Sequence, residues 1–232
     1  MKRKLDTIET NNENGLTIPA DFRQLGRLVM PLRVLVACEY SGRVRDAFAR
    51  RGFDAWSCDY LPSDTPGKHY CGDIREILAY GWNILIAFPP CTNLAVSGAA
   101  WFKNKKAEQQ AALDFVSRLM CAPIDKIAIE NPIGVISSNI QRPDQIVQPF
   151  WFGDAYKKST CLWLKNLPGL KPTNKVEPEY VVYNSRRTRT GKSRYSHFGK
   201  LGKGCGHERS ITPLGLANAM AEQWGNVLAQ TA

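Results

Sequence analysis

Ile84-Leu85-Ile86-Ala87-Phe88-Pro89-Pro90-Cys91 sets four apolar residues before two prolines and a thiol. A short unbroken apolar run closed by turn formers reads as a strand buried on both faces, the kind found in parallel sheets. Each proline fixes its own φ and pushes the residue before it into extended space, so the turn has little freedom. Such rigidity suits a nucleophile that must be aimed. A small buried hydrophobe is the plainer reading of an unpaired cysteine, and the rest of the chain has to decide between them.

Outward from this stretch, strand-like and helix-like runs alternate. Arg33-Val34-Leu35-Val36-Ala37 reads as a buried strand, followed by a Ser41-Gly42 turn and a helix over Val44–Arg51 that Gly52 stops. Residues 54–58 make a second strand ending at Asp59, and residues 70–74 a third that leads into a helical stretch at 75–80. A helix over 107–120 places Ala112, Phe115 or Val116, and Leu119 on one face, and residues 126–129 form a fifth strand before Glu130-Asn131-Pro132. Strands alternating with helices imply an α/β fold with a doubly wound, mostly parallel sheet.

The texture changes near residue 150. Residues 1–155 carry 18 Lys/Arg against 17 Asp/Glu, whereas residues 156–209 carry 13 against three, so the net charge of +10 sits almost wholly in one segment. A confined basic patch marks a polyanion partner, and Tyr180, Tyr183, Tyr195 and Phe198 among the charges favour nucleic acid over a solvated tail. The organisation expected is a flexible arm at 1–30, a catalytic domain at 31–150, and a small, irregular, β-rich basic region at 151–208. That region includes the strand-like residues 160–164, and a C-terminal helix at 209–232 packs back on the domain.

The 232 residues suffice for one substantial core, and 44% apolar content with a mean hydropathy of −0.31 fits a globular protein. No apolar stretch is long enough to span a bilayer and no apolar signal core follows the basic first residues, so neither a membrane nor export is expected. Seven scattered cysteines without a C-x-x-C spacing argue against a disulfide framework and for a reducing cytoplasm. Cys161, His197, Cys205 and His207 are too irregularly spaced to read as a metal site.

Acidic residues recur at strand ends: Asp59 after the second, Asp73 after the third, Glu130 after the fifth. In a nucleotide-binding sheet, the acid after the second strand accepts from ribose hydroxyls. Asp73 is placed to accept from an adenine amine, with Ile74 against the ring. Cys38-Glu39-Tyr40-Ser41-Gly42 would wrap the ligand after the first strand, although it is no G-x-G-x-x-G fingerprint. Each acid alone is an ordinary turn or cap residue.

Phe88-Pro89-Pro90-Cys91 and Glu130-Asn131-Pro132, each after a strand and in this order, resemble the DNA (cytosine-5)-methyltransferase family. Gly72-Asp73-Ile74, Asp59 and Arg209-Ser210-Ile211-Thr212-Pro213 are similar to further segments of it, and the whole chain looks most like the short members encoded in phages and prophages. The resemblance covers residues 33–135 well and the last helix loosely. It implies a Rossmann-like fold and S-adenosyl-L-methionine as cofactor, bound by Cys38, Glu39, Tyr40, Ser41, Gly42, Asp59, Tyr60, Asp73, Ile74, Phe88 and Pro90. It implies Cys91 as the nucleophile toward C6 of a cytosine flipped out of duplex DNA, with Glu130 holding that base and Arg187 or Arg189 assisting. Ser97, Lys103, Lys105, Lys106, Arg186, Lys192, Arg194, Lys200, Lys203 and Arg209 are the residues expected along nucleic acid.

The expected setting is a monomer in a bacterial host's cytoplasm with a restriction–modification role, and the small size of the basic segment points to short or relaxed sequence specificity. The chain departs from the family in its glycine-poor first loop, in Phe88 where glycine is common, and in Pro132 where valine is usual. Two other readings stay open: an RNA cytosine-5 methyltransferase, and a catalytically silent nucleic-acid-binding protein on the same scaffold. An enzyme that methylates amino groups lacks its polar acceptor here, because Phe88 opens the turn.

Overall fold

The computed structural model describes residues 31–96, 105–184, 190, 192–196 and 206–230. The arm expected at 1–30 lies outside them. Four apolar runs build the parallel centre of the sheet: β1 (Arg33–Ala37), β2 (Asp54–Asp59), β4 (Ile84–Ala87) and β5 (Lys126–Pro132). A three-residue β3 (His69–Cys71) adds one edge; β6 (Gln145–Val147) and β7 (Thr160–Lys165) add the other. The order is β3-β2-β1-β4-β5-β7-β6, with β7 antiparallel to both its neighbours. This is the α/β, mostly parallel, Rossmann-like sheet that the sequence implies.

Alternate side chains of each central strand enter opposite cores, as the period of two requires. Val34, Val36, Ile84, Ile86 and Ala128 meet α1 (Arg43–Ala49) and α5 (Leu214–Gln230) on one face. Leu35, Ala37, Leu85, Ala87, Ile127 and Ile129 meet α2 (Lys106–Met120) on the other. The C-terminal α5 buries Leu216, Met220, Trp224 and Leu228 against the sheet, and Trp224 Nε1 donates to Pro168 O at 3.0 Å. A single-turn α3 (Ile136–Asn139) and a short α4 (Gly206–Ser210) complete the helices of the described residues.

Three elements differ from expectation. Residues 160–164, read as part of the basic region's own β structure, are β7 of the main sheet. They pair with β5 from Ile127↔Lys165 to Pro132↔Thr160. Among the described residues, only β8 (Tyr180–Asn184) and β9 (Lys192–Ser196) form a separate two-stranded sheet. The helical stretch expected at 75–80 is a 3₁₀ turn, Ile74–Glu76, capped by the Asp73 carboxylate accepting from Arg75 N. The fifth strand runs on to Pro132, so Glu130 lies within β5 and not after it.

Candidate active site

The carboxyl ends of the parallel strands open into one cavity of about 700 Å³, the location where open α/β sheets take ligands. Across the sheet its walls come from Asp59 at the end of β2, Cys38–Ser41 after β1, Phe88–Thr92 after β4, Glu130–Pro132 on β5, and Lys157 and Lys158 just before β7. Residues 209–212 close it from the C-terminal segment. Tyr40 Oη bonds Ser210 Oγ at 2.9 Å, Arg43 Nη1 donates to Thr212 O at 3.0 Å, and Lys158 Nζ donates to Arg209 O at 2.8 Å. This segment is therefore tied to the turn after β1, to α1 and to the residues just before β7.

Cys91 stands on the turn after β4. Its carbonyl accepts from Leu94 N and Ala95 N at 3.0 and 2.9 Å, which rolls the following residues into a tight turn. Asn131, buried on β5, donates from Nδ2 to Pro89 O at 2.7 Å and so pins the Pro-Pro-Cys turn to the neighbouring strand. The Cys91 side of the cavity is fixed by two strands at once. Burial pushes the Cys91 thiol up, and the Glu130 charge pushes it further, while Lys158 and Arg209 pull it down. Burial likewise raises the Glu130 carboxyl above its ordinary range, offset in part by Lys158 and by a hydrogen bond with the Thr160 hydroxyl.

The loop after β1 shows how a glycine-poor sequence makes the turn. Cys38 adopts φ 56° and Gly42 φ 73°, so the left-handed positions are supplied by one cysteine and one glycine. The cysteine bears a strain of roughly 1–2 kcal/mol for it. Glu39 is 4% exposed; its Oε1 accepts from Ser41 Oγ at 2.8 Å and Val44 N at 3.1 Å, while Oε2 is buried without a partner. Burial raises its pKa against those bonds. A buried carboxylate oxygen left unpaired on a cavity wall is costly, and it suits a cationic ligand donor. Together with Asp59 and the apolar Phe88 and Leu61, it fits an amphipathic cation such as the adenosyl sulfonium implied by the resemblance.

Ten of the residues expected at the site thus line this cavity: Cys38, Glu39, Tyr40, Ser41, Asp59, Phe88, Pro90, Cys91, Glu130 and Arg209. Gly42, Tyr60, Asp73 and Ile74 do not stand in its wall. Gly42 turns the chain into α1, and Ile74 packs in the α2-side core. The Asp73 carboxylate is occupied by Arg75, accepting from its backbone N and its Nε at 2.9 Å, and this pairing drives its pKa down. Lys105 and Lys106 are exposed at the start of α2, and Lys192 and Arg194 lie on β9. Ser97, Lys103, Arg186, Arg187, Arg189, Lys200 and Lys203 lie outside the described residues.

Sequence reasoning missed the cavity's lysines. Lys157 and Lys158 looked like part of a diffuse basic surplus, yet the β5–β7 register carries the residues before Thr160 past Pro132 and onto the cavity wall. Lys158 is held there by its backbone N, which donates to Gln148 Oε1 at 3.1 Å. The available signal was the apolar run Cys161-Leu162-Trp163-Leu164, which has the doubly buried character of a central strand.

No protein-family model matches the sequence, and no curated protein matches it. Among solved structures, the chain is similar to a crystal structure of a Spodoptera frugiperda DNMT2 E260A/E261A/K263A mutant. The identity is 14% and the TM-score 0.38, over 64% of this chain and 58% of that one.

Proposed function

We propose that the protein transfers a methyl group from S-adenosyl-L-methionine to C5 of cytosine in DNA, through a covalent bond between Cys91 and C6 of a flipped-out base. The observation that carries this reading is the sharing of one cavity by Cys91 and Glu130 with the ligand-sized wall of Cys38–Ser41 and Asp59. A cavity of this volume is within the range of cofactor sites.

The residues divide the work as the chemistry demands. Cytosine C5 is a poor nucleophile until a thiolate adds to C6 and places electron density on C5. Cys91 forms that bond, and Lys158 and Arg209 offset part of the burial and of the Glu130 charge that disfavour its thiolate. Glu130, biased by burial toward its protonated form, donates to N3 so that negative charge does not build up in the ring. The cofactor supplies an electrophilic methyl on a sulfonium. Glu39 and Asp59 balance its positive charge, and Phe88 and Leu61 offer it apolar surface. Loss of the C5 proton to a base then lets Cys91 leave and restores the aromatic ring. Bringing the base out of a duplex costs a few kcal/mol, and the cations beside the cavity suit its phosphates.

The test uses duplex DNA carrying 5-fluorocytosine, whose C5 fluorine cannot be lost as a proton. With the cofactor present, a denaturation-resistant complex that Cys91→Ala abolishes is the expected result. Methyl transfer surviving Cys91→Ala would refute the mechanism, and the same complex formed on single-stranded RNA and not on DNA would move the substrate to RNA.

A further inference from the structure

Just after the cavity wall formed by Cys38–Ser41, α1 carries a buried cation. Arg45, in the first turn of α1, is 1% exposed. Its Nε donates to Asp46 Oδ1 at 2.8 Å, and its Nη1 to Ser57 Oγ at 3.0 Å and Ser63 Oγ at 2.9 Å. Its Nη2 donates to Thr65 O, Thr65 Oγ1 and Pro66 O at 3.1, 2.7 and 3.2 Å. Thr65 Oγ1 in turn donates to Asp46 Oδ2 at 2.8 Å. Apart from Asp46 on α1 itself, these partners lie on β2 and on the loop from 60 to 68.

That loop is coupled to the cavity in two ways. Asp64 N donates to Tyr40 O at 2.8 Å and Glu39 N to Cys58 O at 3.2 Å, so the loop, the end of β2 and the turn after β1 form one block. Asp59 and Leu61, at the start of the same loop, are themselves cavity wall. Two glycines mark how closely the guanidinium is packed. A Cβ at Gly42 would stand 2.5 Å from Arg45 Nη2, and one at Gly67 would stand 2.6 Å from Arg45 Cζ.

We propose that Arg45 is the positioning residue for the ligand half of the cavity, holding the wall at 38–41 in register with Asp59 and Leu61 through a buried side chain. A glycine-rich turn would do the same work through its backbone. The inference rests on the adenosyl-ligand reading above. Burying a guanidinium is unfavourable unless every donor is paired, and a buried ion pair is poor evidence of added stability. What its planar fork supplies is fixed geometry, because one group addresses several acceptors at once. None of the bonded partners belongs to the Pro89–Cys91 turn or to β5.

The test compares Arg45→Met, Arg45→Lys and Thr65→Val with the wild type by three measurements. Hydrogen exchange is read at the Asp64 and Glu39 amides and, as controls, at Leu94 and Ala95. Calorimetry gives the affinity for S-adenosylhomocysteine, and iodoacetamide gives the alkylation rate of Cys91. Arg45→Met should speed exchange at Asp64 and Glu39 and weaken the ligand by roughly tenfold or more, with alkylation and the control amides within about twofold. Arg45→Lys should recover part of the affinity, and Thr65→Val should shift both readouts the same way by roughly threefold.

Unchanged exchange or affinity in folded Arg45→Met overturns the proposal, as does alkylation that falls in step with affinity. Should Arg45→Met fail to fold, Thr65→Val decides by the same readouts. A wild type that does not bind S-adenosylhomocysteine would undo the adenosyl-ligand reading alone, since the exchange at Asp64 and Glu39 still decides for or against Arg45.

Discussion

Gly134 lies where the strand carrying Glu130 meets the turn carrying Cys91, and replacing it with alanine should separate the two. An added Cβ would stand 2.1 Å from Leu94 O and 2.8 Å from Leu94 C, both backbone, where ordinary contact begins at 3.4 Å. No side chain can swing aside, so the two segments must part by roughly 1 Å in a close-packed interior. The first bonds to suffer are Val135 N to Leu94 O at 2.9 Å and Val96 N to Ile133 O at 3.1 Å. Each is worth about 1 kcal/mol net, giving a loss of about 2 kcal/mol. For a domain of this size the Tm should fall by roughly 4–8 °C. The functional cost should be larger, because Leu94 and Ala95 are bonded back to Cys91 O, and an ångström of misplacement can cost about 100-fold in rate. The assay is the rate of covalent complex formation on 5-fluorocytosine DNA, beside thermal unfolding and S-adenosylhomocysteine affinity. Affinity should hold, since the walls at 38–41 and 59 do not touch Gly134. A Gly134→Ala protein that traps DNA within about threefold of the wild-type rate would refute the claim that β5 aims the Cys91 turn.

Glu130→Gln should change stability with pH in a defined direction. Burial raises the carboxyl's folded pKa above its ordinary 4.5, so the native state holds the proton longer than the unfolded chain, and stability is lost as pH rises through that interval. The variant should therefore match the wild type below pH 4.5 and gain on it in Tm above; a difference independent of pH would count against the burial argument. At Cys38, where φ is 56°, Cys38→Gly should exceed Cys38→Ala by roughly 1 kcal/mol in urea unfolding, and equal stabilities would mean the backbone there is unstrained. Asn131→Ala should cost about 1–3 kcal/mol by orphaning Pro89 O. Asn131→Asp should cost more, because it buries a carboxylate against that carbonyl; a reversed order in thermal unfolding would contradict the hydrogen bond at Nδ2.

The parallel core was legible because its strands are buried on both faces, so runs such as Val34–Ala37 and Ile84–Ala87 need no partner information to be read. The Pro-Pro-Cys turn was legible for the same reason: proline chemistry acts locally. What escaped depended on contacts between distant segments. The apolar run at 161–164 has the same character as the other strands, but its basic flanks suggested a separate region, and only pairing with β5 assigns it to the sheet. Arg45 reads in sequence as one charge on a surface helix. Its partners from Ser57 to Pro66 lie 12 to 21 residues away along the chain, across a loop that has no helical or strand period. Asp73 failed as a cavity residue for a local reason that was visible: Arg75, two residues on, can close on its carboxylate and does so at the 3₁₀ turn.

The order of the strands also gives the proposed reaction a direction. Along the cavity the walls run from Asp59 and Glu39, through Cys91, to Glu130 and then Lys157 and Lys158, so two acids stand at one end and two lysines, beyond Glu130, at the other. A sulfonium donor is favoured at the acidic end and a phosphate-bearing strand at the basic end; exchanging them would set like charges together in a partly desolvated space. Cys91 follows β4, the strand between β1 and β5, and in the proposed reaction the two ligands would meet there. On the proposed reading, the charges at the two ends of the cavity would orient both ligands before the thiol or the carboxylate engages either.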